Sequence, residues 1–110
     1  MTDIETGPVD DFDRELEELE RMSNGVLELI GKNCLDEAER MCAELKARFP
    51  DTIDWMERSA EVHEARGRVD RAVEHYRLCL THIDSHPDEF DREVREWYQD
   101  RIDRLRDDRQ

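Results

Sequence analysis

Apolar residues recur every three or four positions from Leu35 to Arg106, a spacing that places them along one side of an α-helix. The good helix formers Glu, Arg, Ala and Leu dominate the same region, whereas Thr and Ile are sparse. The pattern therefore predicts an all-α protein. Residues 1–10, which are acidic, and residues 107–110 lack this periodicity, so we expect flexible tails at both ends of a single helical domain over residues 11–106.

Proline, glycine and asparagine divide the periodic region into five predicted helices. Gly31 and Asn33 can cap the first helix in a left-handed conformation, and Pro50 disfavours helical geometry in the residue before it. Gly67 marks a second turn, and Pro87 opens the last helix. The helices are expected at about residues 11–31, 35–48, 53–65, 69–83 and 87–106. Because the connections are short, neighbouring helices should lie antiparallel as stacked helical hairpins.

Each predicted helix carries an apolar stripe that should face the core. The residues expected to be buried are Phe12, Leu16, Leu19, Met22, Val26 and Leu29 in the first helix, Ala38, Met41, Cys42 and Leu45 in the second, Ala72, Tyr76, Cys79 and Leu80 in the fourth, and Phe90, Val94, Trp97, Ile102 and Leu105 in the last. Trp55 should instead be partly exposed where two hairpins meet, as a candidate interface anchor.

The sequence aligns with itself when it is shifted by 34 residues. Asn33 then aligns with Gly67 at the turn within each hairpin, and Ala38 aligns with Ala72. Further alignments join Met22, Met56 and Phe90, then Val26, Ala60 and Val94, then Leu29, His63 and Trp97. A period of 34 residues with these bulky, small and aromatic positions and a closing proline resembles the tetratricopeptide repeat family.

The resemblance implies a short right-handed superhelix of two and a half repeats. The repeats would cover about residues 19–52 and 53–86, with a capping helix at residues 87–106. The second repeat fits the family better, because Asn33 and Cys42 replace the expected glycine and aromatic residue in the first. Such hairpins complete one another's cores by stacking.

By the resemblance, the function is protein recognition: a peptide or helix of a partner protein would lie in a concave groove made by the first helix of each hairpin. The residues expected to line this groove are Asn24, Leu27, Ile30, Glu57, Arg58, Glu61, Glu64, Arg92, Arg95 and Tyr98. Leu27 and Ile30 would offer an apolar patch, and the acids would favour basic flanks on the ligand. Alternatively, Leu27 and Ile30 pack on the N-terminal extension or on a second copy of the chain in a homodimer.

The charge balance argues against some partners. The chain has 17 Lys+Arg and 31 Asp+Glu, so its formal charge of −14 would repel nucleic acids and anionic lipids. The mean hydropathy of −1.00 and the absence of a signal-peptide pattern predict a cytoplasmic protein that does not enter membranes. Three cysteines without a CxxC motif fit reduced thiols better than disulfides.

One cluster of candidate metal ligands stands out. His75, Cys79, His82 and His86 share one face of the fourth predicted helix and include ligands that suit zinc or copper. One straight helix cannot close a tetrahedral site, however, and Cys79 belongs to the predicted core. We therefore expect packing roles, no bound metal and no cofactor, although His63 could join from the adjacent helix.

No residue pattern points to catalysis, so we expect a binding protein that is not an enzyme. The cysteines have no evident local base, and proximity among so many carboxylates carries no information. Two alternatives to a scaffold remain. The chain also resembles the small acidic chaperones of bacterial secretion systems, which hold apolar segments; a nucleic-acid mimic is less favoured because arginines are interleaved with the acids.

Overall fold

The structure, a computed structural model, describes residues 8–109 and the side chains of residues 12–107. Within these residues the chain forms five α-helices and no strand, which confirms the all-α prediction. The helices are α1 (Pro8–Gly31), α2 (Leu35–Arg48), α3 (Asp54–Ala65), α4 (Val69–Ser85) and α5 (Arg92–Arg109). None of these described helices is long and apolar enough to cross a membrane. The predicted N-terminal tail up to residue 7 lies outside the described residues.

The helix boundaries differ from the sequence prediction mainly at the two ends of the chain. α1 already begins at Pro8, which suits a first helical position because the missing N–H would have no partner there. α5 begins at Arg92 rather than Pro87, since residues 86–89 form a turn closed by a bond from the Glu89 N–H to the His86 carbonyl. It then continues to Arg109, beyond the expected end.

The turn between α1 and α2 has the same geometry as the turn between α3 and α4. Asn33 and Gly67, which lie 34 residues apart, adopt left-handed φ angles of 61° and 77°. In both turns the next residue's N–H donates a 2.8 Å hydrogen bond to the carbonyl oxygen five residues earlier. The period found in the sequence is therefore also the spacing of two equivalent helix ends.

The helices pack in chain order around α3. Each helix contacts the next one, and α1 also packs against α3. One core cluster joins α1 and α2 to Trp55 and Val62 of α3, and the other joins Ala60 of α3 to α4 and α5. Gly25 lets α2 approach α1 closely, because a Cβ atom there would lie 3.0 Å from the Met41 sulfur.

Most of the predicted core is buried. The predicted core residues that are fully or nearly fully buried are Met22, Val26, Ala38, Cys42, Leu45, Ala72, Tyr76, Cys79, Leu80, Ile102 and Leu105. Phe12 and Leu16 are instead exposed, because the buried part of α1 begins only at Met22. Trp55, expected to be partly exposed, is buried, and its indole Nε1 donates a 3.0 Å hydrogen bond to the carbonyl of Pro50.

The rotation of α5 about its axis is the clearest correction to the predicted core. Trp97 is 47% exposed, whereas its neighbour Tyr98 is buried in line with Ile102 and Leu105. Both positions fit the helical spacing from Val94, so the spacing alone does not distinguish them. The Tyr98 hydroxyl donates a hydrogen bond to the Glu57 carboxylate on α3, and a buried polar group needs such a partner.

Candidate functional site

Residues from α1, α3 and α5 line two pockets, each of about 350 Å³, which we call together the odd-helix groove. The first pocket is lined by Leu27, Ile30, Glu61, Glu64, Ala65 and Arg101. The second is lined by Glu57, Glu93, Val94, Trp97 and Tyr98. Glu57, Glu61 and Glu64 connect the two, because they lie on one face of α3 at helical spacings of four and three residues.

A largely buried ionic cluster forms the centre of the groove. The Arg58 guanidinium pairs with the Glu61 carboxylate, lies 3.8 Å from Glu57, and donates a 2.8 Å hydrogen bond to the buried hydroxyl of Ser23 on α1. Burial raises the pKa of Glu61, although the charge of Arg58 opposes this effect. Arg58 therefore holds α1 against α3 while neutralising the acids beside it.

The remaining two acids are also paired within the protein. Glu64 accepts bonds of 3.3 and 2.6 Å from Nε and Nη2 of Arg101, and one of 2.8 Å from the Tyr76 hydroxyl. Glu57 accepts a 2.7 Å bond from the Tyr98 hydroxyl. Burial, reinforced by these carboxylates, raises the pKa of both tyrosines. The acids expected to attract a basic ligand therefore already have partners.

Exposed apolar side chains lie beside this ionic centre. Leu27 on α1 is 40% exposed. Trp97 on α5 packs edge-on against Tyr76 and Tyr98, with ring centroids 6.3 and 5.2 Å away, and the Arg101 guanidinium lies 5.9 Å from its ring. Trp97 is thus held by neighbouring aromatic rings while about half of it faces solvent.

The α5 contribution to the groove differs from the sequence expectation. Arg95 forms a two-bond ion pair, at 2.9 and 3.1 Å, with Asp84 of α4 and lowers the pKa of that carboxyl. Tyr98 lines the second pocket as expected, although it is buried, whereas Arg92, Asn24 and Arg58 line neither pocket. Sequence reasoning missed the groove residues Glu93, Trp97 and Arg101. The adjacent aromatic residues at positions 97 and 98 were the signal that the rotation of α5 was ambiguous.

The candidate metal ligands on α4 separate into different surroundings. The His75 ring lies 5.0 Å from that of His63, whereas His82 stacks on His86 at 4.3 Å. Cys79 between them is buried, and burial raises the pKa of its thiol. Within the described residues, no group of three or more His, Cys, Asp or Glu side chains is arranged to hold a metal ion.

The fold and the groove define an all-α protein in which three alternate helices share a face with a charge-paired centre and exposed apolar side chains. No family model, curated protein or solved structure matches the chain. Its function must therefore be inferred from its own residues and their geometry.

Proposed function

We propose that this protein is a tetratricopeptide-like interaction module that binds a peptide or helix of a partner protein in the odd-helix groove. The observation that carries the proposal is that α1, α3 and α5 together line a surface with Leu27 and Trp97 exposed on it. The equivalent turns at Asn33 and Gly67 support stacked repeats, as does the packing of α1 on α3.

The pairing of charges in the groove indicates which kind of ligand it suits. A basic ligand residue would have to compete with Arg58 for Glu61 and with Arg101 for Glu64. Affinity should therefore come from apolar side chains that cover Leu27 and Trp97, since tryptophan and other large apolar groups dominate binding energies at interfaces. A polar centre favours a partner with a defined motif over the continuous apolar segments that a chaperone holds.

Two of the three cysteines, Cys42 and Cys79, are unsuited to nucleophilic catalysis. The thiolate is the nucleophilic form of cysteine, and burial raises the pKa of the Cys42 thiol to about 11 and raises that of Cys79 as well. Both thiols therefore remain protonated at neutral pH. Both are also buried in the core, where cysteine packs as a small apolar side chain.

The proposal is tested by selecting peptides from a random phage-displayed library and measuring their affinity by fluorescence polarisation. We expect the selected peptides to carry apolar residues, and Leu27→Ala and Trp97→Ala each to weaken binding about tenfold. Leu78→Ala is the matched control, because Leu78 lies on α4 and is 41% exposed, against 40% for Leu27.

Two results would contradict the proposal. One is that no peptide is enriched; the other is that Leu78→Ala weakens binding as much as Leu27→Ala does. Circular dichroism of each variant establishes that the fold is retained. Light-scattering mass after size exclusion distinguishes a free groove from one covered by a second copy of the chain, in which case Leu27→Ala would restore the monomer.

A further inference from the structure

A second cleft, of about 320 Å³, lies between α2, α3 and α4 and shares no lining residue with the odd-helix groove. We call it the basic cleft. Its charged and imidazole side chains are Glu39, Lys46, His63, Arg68, Arg71 and His75. Three permanent cations and two histidines therefore face one carboxylate.

The charge of the cleft is positive, whereas the net charge of the whole chain is negative. Acids outnumber Lys and Arg by 31 to 17 in the sequence, and Lys46 is one of only two lysines. The carboxylate of Glu39 is itself paired with Arg68 and lies 3.2 Å from Nε of Arg66 with ion-pair rather than hydrogen-bond geometry. Glu39 is thus compensated locally, and Lys46 and Arg71 add further positive charge.

The two histidines extend the polar wall of the cleft. Their rings lie 5.0 Å apart, and Nδ1 of His63 is 3.5 Å from an Arg68 nitrogen. Nδ1 of His75 lies 2.9 Å from the Arg71 carbonyl oxygen, which can only accept, so this nitrogen carries the proton. Burial is the main cause that lowers the pKa of His63; the charge of Arg68 acts in the same direction, and that of Glu39 opposes it.

Trp55 supplies an apolar wall. Its ring is buried, and the Lys46 ammonium lies 4.9 Å from the ring centroid. The His75 ring meets the indole edge-on at 6.3 Å. Because a positive potential repels cations, two neighbouring imidazoles in this setting favour an anion over a metal ion.

We propose that the basic cleft binds a multiply charged oxyanion of the phosphate or phosphate-ester type. Arg71 and Lys46 supply the charges, and Arg68 and the His63 imidazole supply hydrogen-bond donors. Guanidinium groups match the oxygens of such anions in pairs, and an ammonium acts as a point charge. The room beside Trp55 exceeds what a bare phosphate fills, so an attached organic group can pack against the indole.

The test uses a Trp97→Phe background, in which Trp55 is the only tryptophan and its fluorescence reports on the cleft. Inorganic phosphate and phenyl phosphate are titrated separately at constant ionic strength, and affinity is confirmed by calorimetry. We expect saturable binding that Lys46→Gln and Arg71→Gln each weaken about tenfold. Both side chains are exposed, so these substitutions leave the core unchanged.

Matched controls separate a site from a general charge effect. Lys32→Gln removes the other lysine, and Arg77→Gln removes an exposed arginine from α4 without touching the cleft. If these controls weaken binding as much as Lys46→Gln and Arg71→Gln, or if neither anion binds saturably, the proposal is overturned. Tighter binding of phenyl phosphate would identify the ligand as an organic ester, and equal affinities would identify free phosphate.

Discussion

Substituting Tyr98 by Phe removes one hydroxyl from the core and leaves the ring in place. That hydroxyl donates a 2.7 Å hydrogen bond to Glu57, whose side chain is only 21% exposed. After the substitution the carboxylate keeps Arg58 as a neighbour, 3.8 Å away and beyond hydrogen-bond distance. The variant therefore leaves a largely buried charge without its short hydrogen bond.

The size of the effect follows from this geometry. Hydrogen bonds to charged groups contribute about 1.5–3 kcal/mol to stability. Because water reaches part of Glu57, we expect Tyr98→Phe to lower the free energy of unfolding by about 2 kcal/mol. Tyr76→Phe is the matched control: it removes the same atom from an equally buried ring, but Glu64 keeps two bonds from Arg101, so the expected loss is about 1 kcal/mol or less.

The assay is urea unfolding at pH 7, followed by circular dichroism at 222 nm. The free-energy difference is taken from the unfolding midpoint at an unchanged slope with urea concentration. In thermal unfolding the same loss corresponds to a decrease of roughly 10 °C in Tm for Tyr98→Phe. A double-mutant cycle with Glu57→Gln isolates the pair, and we expect a coupling energy of at least about 1 kcal/mol.

The reasoning is refuted if Tyr98→Phe stays within about 0.5 kcal/mol of the wild type, which is the range of ordinary surface substitutions. If Tyr98→Phe lowers the free energy of unfolding no more than Tyr76→Phe does, then Glu57 does not depend on its tyrosine hydroxyl more than Glu64 does. Additive effects in the cycle with Glu57→Gln would show that the hydroxyl and the carboxylate do not interact.

Three further predictions concern packing and the thiols. Ala72→Arg should lower the free energy of unfolding by more than about 3 kcal/mol, because Ala72 is fully buried and the cation would have neither space nor a partner. A urea unfolding midpoint equal to that of the wild type would contradict this. Stability should fall above pH 9, because the thiols of Cys42, with a pKa raised to about 11, and Cys79 hold their protons in the native state while the unfolded chain loses them near the ordinary value of 9.0. The hydroxyls of Tyr76 and Tyr98, whose pKa burial also raises, add to the decline from about pH 10. Urea midpoints at pH 7 and pH 11 measure the decline, and equal midpoints would exclude it. Only Cys34, the half-buried cysteine, should react quickly with a disulfide reagent in the native protein, and rapid labelling of a second thiol would show that the core opens.

Local signals in the sequence were enough to predict the helices. The bounds of α2 agree with the prediction, because Pro50 and the left-handed turn at Asn33 act on backbone within a few residues of themselves. The equivalence of Asn33 and Gly67 was likewise readable from the 34-residue period. Fully buried Ala38 and Ala72 match the small positions of that period, because close helix contacts admit only small side chains there.

The tertiary structure decided which surface each helix presents. Trp97 and Tyr98 are adjacent, so the periodicity could not choose between them, and the choice depended on a carboxylate of Glu57, 41 residues earlier in the chain. The same rotation brings Arg101 to Glu64 and turns Arg95 toward α4. The charged residues in the sequence indicated an acidic groove. The charge that a ligand meets there depends on which side chains pair with the acids, and those side chains come from distant parts of the chain.

The basic cleft also could not be predicted from the sequence. Lys46, His63 and Arg71 are separated by other residues and belong to three different elements, and the net charge of the chain points to the opposite sign. Only the packing of α2, α3 and α4 brings them together around Trp55. Periodicity determines where helices form because it reflects local geometry, whereas a site depends on which distant side chains meet, and that is settled when the helices pack.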